Sequence, residues 1–283
     1  MVQRKQLSLN LIDKLTLLYI AIVGIIILIF GTELESYYLY ILLHFLIIIV
    51  FLCFYKLSDR FNLRLLRDWY PLIIVTFLYE ETGHLNQIVF KGFWDTFIFN
   101  LEQKAFGVDL GLVLYKFFGS RIINEIMYMS YFAYYLIIPV MGFLIYRHNR
   151  KMFHYFLISL MTTYYICYLF YIFVPIAGPF EYEHLKINGI IFDKIIHFFY
   201  KHGELPGSAM PSSHVAIALI VLIYSKITEN YFYIFLVIFI LLTLSTMYLR
   251  YHYFVDVEAG ILTAIFCFQI SLYLIRKFRV LNK

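Results

Sequence analysis

The sequence predicts an all-α membrane protein, a polytopic helical bundle of about eight spans with interfacial helices at one surface. Hydrophobic residues make up 63% of the 283 positions and charged residues only 14%, with a mean hydropathy of +0.79. A soluble domain carries about 25% charged residues. The apolar runs approach the ~20 residues that a helix needs to cross a bilayer. They also lack the period-two alternation of barrel strands.

The runs place the spans in order. Leu15–Phe30 is the first and Tyr38–Tyr55 the second. Trp69–Tyr79 begins a third, which meets Glu80 and Glu81 early. Residues between Glu80 and Glu125 mix charges with Phe93, Trp94, Phe97, Phe99 and Phe106. That stretch is too polar to span and too aromatic for free water, so one or two helices at headgroup depth are expected. Ile126–Tyr146, Phe153–Val174, Ser212–Ser225, Tyr231–Leu249 and Phe254–Ile275 complete the eight. With no repeat, low-complexity tract or Gly/Ser-rich linker, residues 1–283 read as one integral membrane domain. Its parts are N-terminal spans (1–68), a third span with the outer interfacial region (69–125) and the remaining spans (126–283).

Charge placement predicts orientation. Residues 1–14, 56–68, 147–151, 226–230 and the tail from Arg276 hold 15 of the 23 Lys and Arg. The other connections and adjoining helix ends hold 8, with 14 of the 18 Asp and Glu. The basic side, with both termini, is therefore expected in the cytoplasm. Short basic loops explain the net charge of +5 as topology, and nucleic acid is not an expected partner. Cys53, Cys167 and Cys267 lie singly in apolar runs, which argues for buried thiols and against a disulfide framework or zinc site. Met1–Lys5 precedes an apolar run without a small-residue cleavage site, so a retained first span is expected. The lack of retention or sorting signals favours a bacterial inner membrane.

Chemistry gathers at two span borders on the non-basic side. Ser245-Thr-Met-Tyr-Leu-Arg250-Tyr-His252-Tyr-Phe-Val-Asp256 joins two apolar runs, and Met210-Pro211-Ser212-Ser213-His214 opens another. A carboxylate four residues from a histidine can hold one ring nitrogen as N–H and free the other for nucleophilic attack, if a helix begins there. Arg250 offers a fixed cation for an anionic group. Ser212 and Ser213 open a helix whose free N–H groups form an anion site, and His214 there can protonate a departing alkoxide. These residues suit phosphoryl transfer on a lipid, with either histidine as nucleophile. A lone histidine at a helix end is ordinarily structural, and that reading is given to His44, His148, His154, His197 and His202.

Both stretches resemble signatures of the type 2 phosphatidic acid phosphatase superfamily. Ser-Thr-x5-His-x3-Asp is similar to its third signature, Ser-Arg-x5-His-x3-Asp. Pro211-Ser212-Ser213-His214 is similar to its second, Pro-Ser-Gly-His. The first, Lys-x6-Arg-Pro, is absent, and Val174-Pro-Ile-Ala-Gly-Pro-Phe180 stands in its place. Thr246 occupies the position of the signature arginine, with Arg250 four residues on. The proline-rich turn and His-Tyr-Phe-Val-Asp resemble the branch containing inositol phosphorylceramide synthases. Trp94-Asp95 and Leu101-Glu102-Gln103-Lys104-Ala105-Phe106-Gly107 resemble that branch more loosely.

The resemblance implies a six-helix core carrying catalysis in the spans after residue 126. His252 would be the nucleophile oriented by Asp256, and His214 the acid. Arg250, Ser212 and Ser213 would bind the substrate phosphate at the outer, periplasmic side. The substrate would be a membrane lipid phosphoester, with water or a lipid alcohol as acceptor. Few carboxylates lie near the site, so no metal or other cofactor is expected. Glu80, Glu81 and His84 could line the cavity or receive an acceptor hydroxyl, and more often such a cluster merely ends a helix. Tyr248 and Tyr251 default to structural roles, and Tyr171, Tyr182 and His184 remain unassigned. A non-catalytic lipid transporter is the competing class, and its mid-span polar residues are not evident here.

Overall fold

The computed structural model describes residues 9–60, 63–182, 185–203, 206–229 and 231–278. The Met1–Lys5 stretch, His184 and the His202 side chain lie outside the described residues. Eight long helices form where apolar runs were expected: α1 (Leu11–Phe30), α2 (Tyr37–Arg60), α3 (Arg64–Leu85), α6 (Arg121–His148), α7 (Arg150–Phe173), α10 (Ser213–Ile227), α11 (Phe232–Tyr248) and α12 (Phe254–Lys277). Five of these helices are long and apolar enough to cross a membrane by length and composition, and α10 and α11 are shorter apolar helices. The chain is an all-α polytopic membrane protein.

The third segment is continuous. At 22 residues, α3 runs ~33 Å. It carries Glu81 within the bundle, where the carboxylate lies 3.5 Å from His44 Nδ1 on α2. The aromatic stretch after it forms two short helices, α4 (Asp95–Phe106) and α5 (Leu110–Phe118). The four-residue α8 (Pro179–Tyr182) and the amphipathic α9 (Phe192–Gly203) follow α7.

Helix α7 is the axis of the bundle. It packs against α1, α3, α6, α10 and α12, as its nearly all-round apolar surface requires. Two of its threonine hydroxyls are satisfied within the helix: Thr162 and Thr163 donate to the Ile158 and Ser159 carbonyls.

The two ends of the bundle differ. Where α1, α3 and α7 start, Asp13 accepts from Arg67 and Tyr70, and Asp68 accepts from Arg150 and Tyr146. At the other end lie the connection from α7 to α10 and the turn between α11 and α12.

Candidate functional site

The turn after α11 presents His252. Arg250 takes a left-handed backbone, φ +68°, costing ~1–3 kcal/mol for such a residue. The Tyr251 and His252 amides both donate to the Thr246 carbonyl, and the Phe180 amide donates to the Arg250 carbonyl. Helix α12 then starts at Phe254, with Asp256 Oδ2 accepting the Tyr253 amide at 2.8 Å as an N-terminal cap.

Asp256 was expected to hold the His252 ring from the same helical face. The helix instead begins two residues after His252, because Asp256 serves its cap. His252 Nδ1 lies 3.7 Å from Asp256 Oδ2 and 2.8 Å from the Ala209 carbonyl oxygen. A carbonyl only accepts, so Nδ1 carries the proton and Nε2 keeps its lone pair. Ser212 Oγ, 3.2 Å from Nε2, then donates to it. Asp256 still supports the site through its backbone, since its carbonyl accepts the Ser212 amide at 3.0 Å. Gly260 permits that approach: a Cβ there would meet the Ser212 carbonyl oxygen at 2.6 Å.

Ser212 is the N-cap of α10, its Oγ accepting the Val215 amide. His214 sits in the first turn between the rings of Tyr131 (centroids 4.6 Å apart) and Tyr134 (4.1 Å). Its Nε2 is buried without a hydrogen-bond partner. The His214 and His252 ring centroids are 5.8 Å apart. Two histidines 38 residues apart in sequence therefore meet at one end of the bundle.

Both rings line a cavity of about 550 Å³, together with Ser213 and Ala209. Helix α7 contributes Tyr164 and Tyr168, α6 contributes Tyr131 to Pro139, and α3 contributes Leu72 to Glu80. Of Glu80, Glu81 and His84 on α3, only Glu80 lines this space, and His84 is exposed elsewhere.

Arg250, expected at the substrate phosphate, is turned toward a carboxylate. Its guanidinium makes two 2.6 Å bonds to the Asp109 carboxylate and is not part of the cavity lining. Asp109 caps α5 through the Leu112 amide, so Arg250 fastens that interfacial helix to the end of α11. Fork geometry favours a carboxylate partner once one lies within reach.

Several residues that hold the site were missed. Asp95, at the start of α4, accepts the Ala177 and Gly178 amides at 2.9 and 2.8 Å. Gly178, at φ +93°, lets that loop touch the Tyr251 carbonyl. The Ala209 amide donates to the Ile176 carbonyl, which places the Ala209 oxygen for His252. Two turns along α4, Glu102 accepts the Val255 amide at the start of α12. Burial raises the Glu102 carboxyl above its ordinary range. Burial likewise raises the Tyr253 phenol, helped by the Asp95 charge. Asp95 and Glu102 are seven apart, a helical-face spacing visible in the sequence; what they would hold was not.

Residues 97–270 match the family model described as the PAP2 superfamily. The match starts inside α4 and ends inside α12, leaving α1, α2 and α3 before it. A PA-phosphatase related-family protein of Dictyostelium discoideum is 25% identical over 218 residues, covering 62% of this chain and 39% of that protein. The chain thus spans well under half the length of that relative. No solved structure matches.

Proposed function

The chain belongs to the PAP2 superfamily, whose members are phosphatases and phosphotransferases, and from that premise we propose that it cleaves a lipid phosphoester through a phosphohistidine on His252. The observation that carries this reading is the His252 ring itself. Its Nδ1–H is held by Ala209, its Nε2 accepts from the Ser212 hydroxyl, and the ring lines a cavity of about 550 Å³ shared with His214. In the first step the Ser212 hydroxyl turns from Nε2 to a phosphoryl oxygen, Nε2 attacks phosphorus, the ester P–O bond breaks, and the leaving oxygen takes a proton from His214. Water then attacks phosphorus, its proton passes to His214, and the N–P bond breaks to restore the imidazole.

Ser212 and Ser213, with the amides of the first turn of α10, stabilise charge on the phosphoryl oxygens. Asp256 positions the site through its cap and its carbonyl, and Arg250 shapes the turn without contacting the anion. The reaction takes place at the outer end of the spans, with the basic loops cytoplasmic.

Purified His252→Ala is expected to remain folded and lose turnover of lipid phosphoesters, and labelled lipid should leave acid-labile phosphate on the wild-type chain only. Wild-type turnover in that variant rejects the nucleophile.

A second reading replaces water with a lipid hydroxyl, as in the inositol phosphorylceramide synthase branch. The extension of the cavity along α3 favours it, because the chain of an acceptor alcohol can approach the same phosphohistidine along that wall. Enzyme given a labelled phospholipid with ceramide or diacylglycerol should then form a new labelled lipid; release of water-soluble product alone rejects transfer.

A further inference from the structure

The cavity is nearly devoid of fixed charge. Its lining holds eight tyrosines, two imidazoles and one carboxylate, Glu80, and no lysine or arginine among the described residues. Thr246, where the family signature carries arginine, is buried and donates back to the Thr243 carbonyl. Arg250 is engaged by Asp109. A phosphate monoester carries up to two negative charges, and burying them without a counter-charge is costly. A phosphodiester carries one. A headgroup with its own ammonium brings the compensating cation with it, and tyrosine faces attract such a cation.

The cavity wall on α3 is graded in the matching sense. Thr76, Tyr79 and Glu80 share one helical face near the histidine end. Val75 and Leu72 continue the wall deeper along the helix, Leu72 lying about 12 Å from Glu80, a depth suited to acyl chain. Glu80 is exposed at the cavity, so its charge is available to a ligand there. This wall precedes the family-matched residues, so it can set specificity without altering the histidine machinery.

Resting on the reading that His252 attacks a lipid phosphoester, we propose that the substrate is a zwitterionic phosphodiester lipid whose ammonium headgroup occupies the tyrosine-lined space, with Glu80 as its fixed counter-charge. His252 displaces the lipid alcohol, which leaves with the proton from His214, and the phospho-headgroup stays on Nε2 until an acceptor hydroxyl breaks the N–P bond and gives its proton to His214. Neither product carries the net double negative charge that this cavity is poor at holding.

The test separates binding from chemistry by using full-length His252→Ala in nanodiscs, titrated with hexadecylphosphocholine and with hexadecyl phosphate. The phosphocholine amphiphile is expected to bind at least about tenfold tighter, and adding Glu80→Gln should bring the ratio close to one without weakening hexadecyl phosphate. Equal or tighter binding of hexadecyl phosphate, or a ratio indifferent to Glu80→Gln, overturns the headgroup assignment. Turnover by the wild-type chain is followed in parallel with phosphatidylcholine, phosphatidylinositol and phosphatidate. A phosphocholine preference in binding, with no turnover of any lipid, removes the catalytic reading and keeps the headgroup assignment. Turnover of phosphatidate above phosphatidylcholine, abolished by His252→Ala, does the reverse.

Discussion

The two ends of the bundle use carboxylates differently. At the basic end, Asp13 and Asp68 meet arginines: Arg67 in one case, Arg150 in the other, with tyrosine hydroxyls completing each cluster. At the histidine end, Asp95, Glu102, Glu125 and Asp256 accept backbone amides from loops and helix starts. Arg250, the cation nearest His252 in sequence, is matched by Asp109. One end thus pairs charge with charge to join helices. The other, the Asp109–Arg250 pair apart, uses its carboxylates to fix backbone, and leaves the two imidazoles facing a space whose described lining holds one carboxylate and no lysine or arginine.

The contrast is most directly broken at the histidine end by His214→Ala. Turnover should fall ~10²- to 10⁴-fold, as for loss of a general acid or base. An ester with an activated leaving group, such as p-nitrophenol, should lose much less. Equal losses for both substrates would remove His214 from leaving-group protonation.

At the other end, Asp13→Ala strands a buried Arg67 guanidinium. A destabilisation of ~3–5 kcal/mol is expected for a broken buried pair, with kcat of the surviving folded protein unchanged. Thermal unfolding and turnover per folded molecule measure the two separately. A kcat that fell with stability would erase the division between the ends.

Asp95→Asn probes the chain of contacts running from α4 through Ala177, Ile176 and Ala209 to His252. It leaves one backbone amide poorly matched, a cost of ~1–3 kcal/mol. Turnover is expected to fall about tenfold as the Ala209 carbonyl loosens its hold on His252, with KM unchanged. A drop in stability with kcat per folded molecule unchanged would make Asp95 merely structural.

The smallest effect belongs to Glu102. Because burial raises its carboxyl, the folded protein holds that proton more tightly than the unfolded chain. Stability from this group is therefore present below the unfolded pKa and lost as pH rises through the folded value. Glu102→Gln should slightly flatten the decline in unfolding temperature as pH rises above the ordinary carboxylate range, and an unchanged slope contradicts the assignment.

Much of the fold was legible because bilayer crossing imposes a local rule. Twenty apolar residues in a row identify a span wherever it packs, and every expected segment contains a helix. The third was the hardest to read, since Glu80 and Glu81 interrupt its hydropathy. Their acceptance depends on His44 and on a cavity, neither of which lies nearby in sequence. The histidines were legible through signature spacing. Their orientation was not, because the atom that holds His252 Nδ1 is a backbone oxygen, and any residue at 209 supplies one. Tyr131 and Tyr134 likewise looked like two more tyrosines in an apolar run until α6 and α10 set them on either side of His214.

The sequence alone determined that this is a helical membrane protein, roughly where its helices run, and which residues could carry phosphoryl chemistry. Composition and spacing are properties of the chain itself and survive without knowledge of the fold. Tertiary structure decided that Asp109 claims Arg250, that Asp95 holds the loop behind His252, and that the two imidazoles share a cavity with no lysine or arginine among its described lining. Those outcomes join positions as distant as 109 and 250, and a short-range, directional bond selects its partner only after packing has brought the helices together.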